Sequence, residues 1–130
     1  MAKIMVVDDS EVIRFQLNTD LTSEGHEVIE AYDGLHGLQM LKENADIKLI
    51  VCDVNMPEMD GITMCENISK DSEHNHIPIV MLTTQNNPEL RAQGKSYGVI
   101  AWVTKPYKAA TLLGGIKKIL SSYGSKDKPQ

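Results

Sequence analysis

Residues 49–53 read Leu49-Ile50-Val51-Cys52-Asp53: an unbroken apolar run, then a lone carboxylate. The run is too short for a buried helix and has β-branched members, so it reads as a strand covered on both faces. Three runs of the same kind, Ile4 to Val7, Ile79 to Leu82 and Val99 to Val103, are bounded by polar or turn residues. A weaker fifth, Glu27-Val28-Ile29-Glu30-Ala31, lies between Val7 and Leu49. Five strands result.

The segments that follow the strands have apolar spacing near that of a helix. Ile13, Leu17 and Leu21 follow a Ser10 N-cap; Leu35, Leu38 and Leu41 stripe the second segment; Ile62, Cys65 and Ile68 follow Asp60; Leu112, Ile116, Ile119 and Leu120 stripe the last. Gly25 and Gly98 read as helix ends or turns. A strand and a helix repeated five times predict an α/β fold: a parallel sheet with right-handed crossovers and helices on both faces. At 130 residues the sheet is expected to be open, since a closed eight-fold barrel takes about 250 residues.

Composition narrows the function. One domain of this length needs neither a disulfide nor a structural metal to bury a stable core. With 13 Lys and Arg against 18 Asp and Glu, the net charge of −5 argues against nucleic-acid binding as the main activity. No apolar run approaches the roughly 18 residues that a membrane helix needs. The start, Met1-Ala2-Lys3-Ile4, is too brief for a secretory signal, so the chain is expected to be cytoplasmic. Cys52 and Cys65 sit inside apolar patterns and read as reduced core residues. Gly124-Ser125-Lys126-Asp127-Lys128-Pro129-Gln130 has linker composition; the domain is expected over 1–123 and a flexible tail over 124–130.

In an open parallel sheet, ligand chemistry collects beyond the carboxyl ends of the strands. Here those ends carry Asp8-Asp9, Asp53, Thr83-Thr84 and Thr104-Lys105-Pro106. Crowded carboxylates repel unless a cation sits among them, and an oxygen-only set suits Mg²⁺. Carboxylates with a cation, a lysine and a hydroxyl nearby are equipment for stabilising a phosphoryl group in transfer. Asp53, alone at the end of its strand, is the candidate nucleophile, because a carboxylate can form an acyl phosphate. Singly, each feature is ordinary: a capping turn, a solvated Thr pair, a Lys-Pro loop. Their conjunction at four strand ends points to a site.

These residues resemble the receiver domain of two-component response regulators, in particular the stand-alone chemotaxis regulators (CheY-like). The matching pieces are Ile4-Met5-Val6-Val7-Asp8-Asp9-Ser10, Asp53-Val54-Asn55-Met56-Pro57-Glu58-Met59-Asp60-Gly61, Thr83-Thr84 and Lys105-Pro106-Tyr107, and the likeness extends over residues 3–122. The intervals from Asp9 to Asp53, Thr83 and Lys105 look like those of the chemotaxis regulators. The resemblance implies a flavodoxin-like strand order, 2-1-3-4-5.

It also implies roles. Asp53 would take a phosphoryl group from the phosphohistidine of a histidine kinase; Asp8, Asp9, Asp53 and the backbone carbonyl of Asn55 would hold Mg²⁺; Lys105 would pair with the phosphoryl oxygens, its bond to Pro106 being cis. Thr83 and Trp102 would be the switch pair, altering the face built by the fourth helix, fifth strand and fifth helix. The domain would thus be a phosphoacceptor switch rather than an enzyme. Its output would be a protein contact with a flagellar motor, with a phosphorelay step or a phosphate sink as alternatives. Asn55, Thr84 and Gln85 would set the lifetime of the phosphoryl group.

Apart from the family, the fourth helix reads as the least firmly held. Asn87-Pro88 opens it well, but Glu89 to Tyr97 has few apolar anchors and an interior Gly94. His74-Asn75-His76 reads as a surface turn lacking a third metal ligand, and His26 and His36 show no partner pattern. The methionines read as core and loop filler, with Met56 and Met59 near the site. Two other classes would use part of the same set. A Mg²⁺-dependent aspartyl-phosphate phosphatase needs a second acid/base carboxylate beside the nucleophile, where this chain has Val54 and Asn55. A flavin carrier needs a phosphate loop after the first strand, where Asp8-Asp9 repels phosphate.

Overall fold

The computed structural model describes residues 1–126. Its elements alternate strictly: β1 (Lys3–Val7), α1 (Glu11–Ser23), β2 (Glu27–Ala31), α2 (Gly34–Glu43), β3 (Ile47–Cys52), α3 (Gly61–Ser69), β4 (Ile79–Thr83), α4 (Pro88–Ser96), β5 (Val99–Thr104) and α5 (Ala109–Lys126). The strands form one parallel sheet in the order β2-β1-β3-β4-β5, as expected. Helix α5 continues through Lys126, past the expected domain boundary at 123. Residues 127–130 of the expected tail lie outside the described residues.

Side chains alternate across each strand, so one sheet supports two cores. Ile4, Val6, Leu49, Val51, Val80 and Leu82 face α1 and α5, meeting Leu17, Leu21, Leu112 and Ile116. Met5, Val7, Ile50, Cys52, Ile79 and Met81 face the opposite way, towards Met64, Cys65 and Ile68 of α3 and Leu41 of α2. The caps read from the sequence form: Ser10, Asp60 and Asn87 each accept from a backbone N–H in the first turn of their helices. Asp33 caps α2 in the same way, a start not singled out in the sequence. Gly25 and Gly98 end their turns at φ of 88° and 100°, a region that favours glycine.

Two expectations need correction. Strand β5 is not covered on both faces: it is a sheet edge, its Ile100 is 41% exposed, and Ala101, Trp102 and Val103 are half-buried. Leu35 does not join the buried stripe of α2 but is exposed; Gly34, which packs on Met59, with Gly37 and Leu41 forms the buried face instead, and Leu35 falls off that face. Both cysteines are free and buried, as read. Among the described residues, no helix is long and apolar enough to cross a membrane.

Leu49 is fully buried between α1 and α5, so Leu49→Ala should cost about 2–5 kcal/mol. Ile100→Ala, on the open edge, should cost no more than about 1 kcal/mol. Urea unfolding of the two variants checks this, and similar losses would contradict the burial described.

Candidate functional site

The sheet's hydrogen bonds run one residue past the strands and hold the charged residues in register. The Asp8 N–H donates to the Ala31 carbonyl (3.1 Å), the Asp53 N–H to that of Val7 (3.0 Å) and the Lys105 N–H to that of Thr83 (2.9 Å). The α3 N-terminus packs so closely on Asp53 that a Cβ at Gly61 would overlap the Asp53 carbonyl oxygen and stand 2.9 Å from the Cys52 sulfur. Glycine there is a matter of space. The Lys105–Pro106 bond is cis, as expected.

The Lys105 ammonium lies between two carboxylates, 2.8 Å from Asp8 Oδ2 and 2.9 Å from Asp53 Oδ2. The other oxygens are held by the main chain: Asp8 Oδ1 accepts from the Ser10 N–H (2.9 Å) and Asp53 Oδ1 from the Val54 N–H (2.6 Å). Asp8 and Asp53 are buried and Asp9 is exposed, yet one carboxylate oxygen from each lies within 4.8 Å of the others. Burial raises the Asp8 pKa above the usual carboxylate value, and the bonds from Lys105 and Ser10 offset only part of that effect. Burial also works against the Lys105 charge, but there the hydrogen bonds to Asp8 and Asp53 prevail and the pKa is raised. An all-oxygen set with excess negative charge fits a hard divalent cation, so the residues present suit Mg²⁺ chemically.

Thr83 is completely buried, and its hydroxyl oxygen accepts from the Gln85 N–H (3.2 Å). The Gln85 carbonyl in turn accepts from Trp102 Nε1 (2.8 Å). Gln85 therefore links Thr83 to Trp102 through its backbone, a connection that no side-chain pattern in the sequence reveals. Trp102 is half-buried against the core. Helix α4 passes close to it, for a Cβ on Gly94 would stand 3.1 Å from its ring. Gly94, read as a weakness in α4, is the one buried residue of that helix and permits this approach.

Asp8, Asp9, Asp53 and Lys105 are thus brought together, with Thr83 beside them through the backbone bond to Lys105. Asn55 and Thr84 lie exposed in the loops after β3 and β4. The bland histidines have partners after all. His26 Nδ1 accepts from the Ala2 N–H (3.1 Å), and His36 Nδ1 accepts from the Tyr32 N–H (3.1 Å) while its ring stacks on Tyr32. His74 sits 2.6 Å from Asp71, with Glu73 alongside, so two further ligand-type groups surround it. That contact holds the Asp71 pKa below its usual value and belongs to a local turn.

Residues 4–117 match the family model of the response regulator receiver domain, and the chain belongs to that family. It is 33% identical to the chemotaxis protein CheY1 of Helicobacter pylori over 92% of this chain and 98% of that protein. The protein PilH of Pseudomonas aeruginosa is also 33% identical, over 93% of this chain and 99% of its own. Among solved structures, the chemotaxis protein CheY4 of Vibrio cholerae superposes with a TM-score of 0.85 at 36% identity, covering 91% of this chain and 98% of that one.

The raised Asp8 pKa has a definite sign in stability. Above the ordinary value of 3.8 the folded state holds more of this proton than the unfolded state, so folding weakens as pH rises from that value toward the raised one. Asp8→Asn removes the charge, keeps an oxygen for Ser10 and leaves Lys105 paired with Asp53. In metal-free buffer at neutral pH it should therefore unfold at a higher urea concentration than the wild type. A loss would show that the Lys105–Asp8 bond outweighs the cost of burial.

Proposed function

We propose that this receiver domain takes a phosphoryl group onto Asp53 from the phosphohistidine of a partner kinase, with Mg²⁺ held by Asp8, Asp9, Asp53 and the Asn55 carbonyl. The observation that carries this reading is the Lys105 ammonium shared between Asp8 and Asp53. It stands beside the nucleophile, ready to exchange a carboxylate oxygen for a phosphoryl oxygen.

In the transfer, an Asp53 carboxylate oxygen attacks phosphorus, the bond to the histidine nitrogen breaks, and the imidazole leaves with that electron pair. Held by those carboxylates, a divalent cation would supply charge neutralisation for the phosphoryl oxygens. The Val54 N–H orients Asp53, and Lys105 follows the new charge. Thr83 gives up the Gln85 N–H to reach the same group, which loosens the backbone link to Trp102 and biases the face of α4, β5 and α5. Sparse anchoring of α4 supports such a change, since Leu90 and Tyr97 are only partly buried. Proteins that read this face, rather than a small-molecule product, are the output.

The particular output we propose is chemotactic control of a flagellar motor from the cytoplasm, supported by the likeness to chemotaxis proteins. A relative not named for chemotaxis, PilH, favours a second reading in which the domain serves as a relay intermediate or a phosphate sink. Pull-down of flagellar switch proteins with phosphorylated and unphosphorylated protein separates the two.

Asp53→Asn should abolish labelling by acetyl phosphate in Mg²⁺, and stoichiometric labelling of that variant would refute the assignment. Lifetime gives a second check. Thr84 follows the switch residue and is bulkier than a small side chain that would leave the in-line water path open. Thr84→Ala is therefore expected to speed phosphoryl loss several-fold, by roughly 1 kcal/mol in the barrier. An unchanged or slower rate means that access past this side chain does not limit the lifetime.

A further inference from the structure

Arg14 lies near the N-terminal end of α1, where the positive end of the helix disfavours a cation. Its side chain is nonetheless only 15% exposed and is committed to two contacts. Nη1 donates to the main-chain carbonyl of Asp8 (2.6 Å), and Nε donates to Glu30 Oε1 on β2 (3.1 Å). The second Glu30 oxygen accepts from Asn18 Nδ2 (2.9 Å), so the carboxylate that anchors Arg14 is itself tied back to α1. The planar guanidinium suits this double duty, which an ammonium does not reproduce.

The carbonyl that Arg14 holds belongs to the peptide joining Asp8 to Asp9. Asp8 has its own restraints, in Lys105 and the Ser10 N–H. Asp9 differs: it is exposed, and among the described residues its carboxylate takes no hydrogen bond from the protein. What the protein fixes for Asp9 is therefore its backbone, and with it the Cα–Cβ direction from which the carboxylate reaches out; one side of that backbone is held by Arg14.

We propose that Arg14, anchored by Glu30, is a positioning residue for the cation site: it fixes the Asp8–Asp9 peptide so that the Asp9 carboxylate meets those of Asp8 and Asp53. This rests on the reading of the three carboxylates as a divalent-cation site. The proposal has a signed consequence. A guanidinium acting only through its charge repels a nearby cation, so its removal strengthens Mg²⁺ binding; a guanidinium acting by position strengthens binding, so its removal weakens it.

Calorimetric titration of MgCl₂ into the wild type, Arg14→Gln, Arg14→Lys and Glu30→Gln decides between them, with Asp9→Ala marking the site. Hydrogen exchange at the Ser10 amide in metal-free protein provides an independent readout. Arg14→Gln should bind Mg²⁺ about 10-fold more weakly, with Arg14→Lys between it and the wild type and a smaller loss in Glu30→Gln. The Ser10 amide should exchange faster in Arg14→Gln without metal. Should Arg14→Gln fold poorly by urea unfolding, Glu30→Gln, which keeps the guanidinium, carries the same test. Unchanged or tighter binding in the variants, or unchanged Ser10 exchange, overturns the proposal alone. A wild type whose Mg²⁺ binding does not depend on Asp9 overturns the cation-site reading and this proposal with it.

Discussion

Asp8, Asp9 and Asp53 meet at the end of the sheet with a single ammonium, that of Lys105, between the two that are buried. Left to themselves such charges would separate or protonate, because each buried carboxylate loses its hydration and faces another of the same sign. They stay together because the ends of β1, β3 and β5 are fixed by backbone bonds and by two apolar cores beneath them. The fold thus holds an unfavourable arrangement at the place where a cation would relieve it, the usual relation between a stable scaffold and a strained site.

The same lysine connects charge to shape. Its backbone N–H is bonded to Thr83, the Thr83 hydroxyl to Gln85, and the Gln85 carbonyl to Trp102, which packs where Gly94 lets α4 come close. Every joint in this path is a hydrogen bond or a close contact rather than part of the buried apolar core. The path ends at the least anchored helix and the open edge of the sheet. Under the proposed function, a gain of negative charge at Asp53 acts on these joints through Lys105 and Thr83 without any need to disturb the central strands.

The alternation of β-branched runs with helical stripes made the fold class legible, and the polar residues closing each run marked the site. The order of the strands came from family likeness, since alternation alone does not say which strand lies at the centre. What stayed hidden was of two kinds. The exposed Ile100 and Leu35 depend on which strand forms an edge and which face of a helix its neighbours cover, facts of tertiary placement that an apolar pattern does not carry. The Gln85 link and the Arg14 bond to the Asp8 carbonyl use the main chain as partner, and every residue type but proline offers the same main-chain groups. Gly94 misled for a related reason: a glycine that weakens an isolated helix is the one that allows close packing in the folded chain.

Lys105 reaches Asp8 across 97 positions of the chain and Asp53 across 52. Loops this long close late, because their entropy must be lost before the contact rewards it. The crevice therefore does not exist in a chain that has emerged from the ribosome only as far as β4, even though all three carboxylates are already present. Without the docking of β5, the last strand to be made, there is no ammonium to offset them and no Lys105 N–H for the carbonyl of Thr83. The complete set of charges in the crevice is therefore present only once β5 has joined the sheet beside β4.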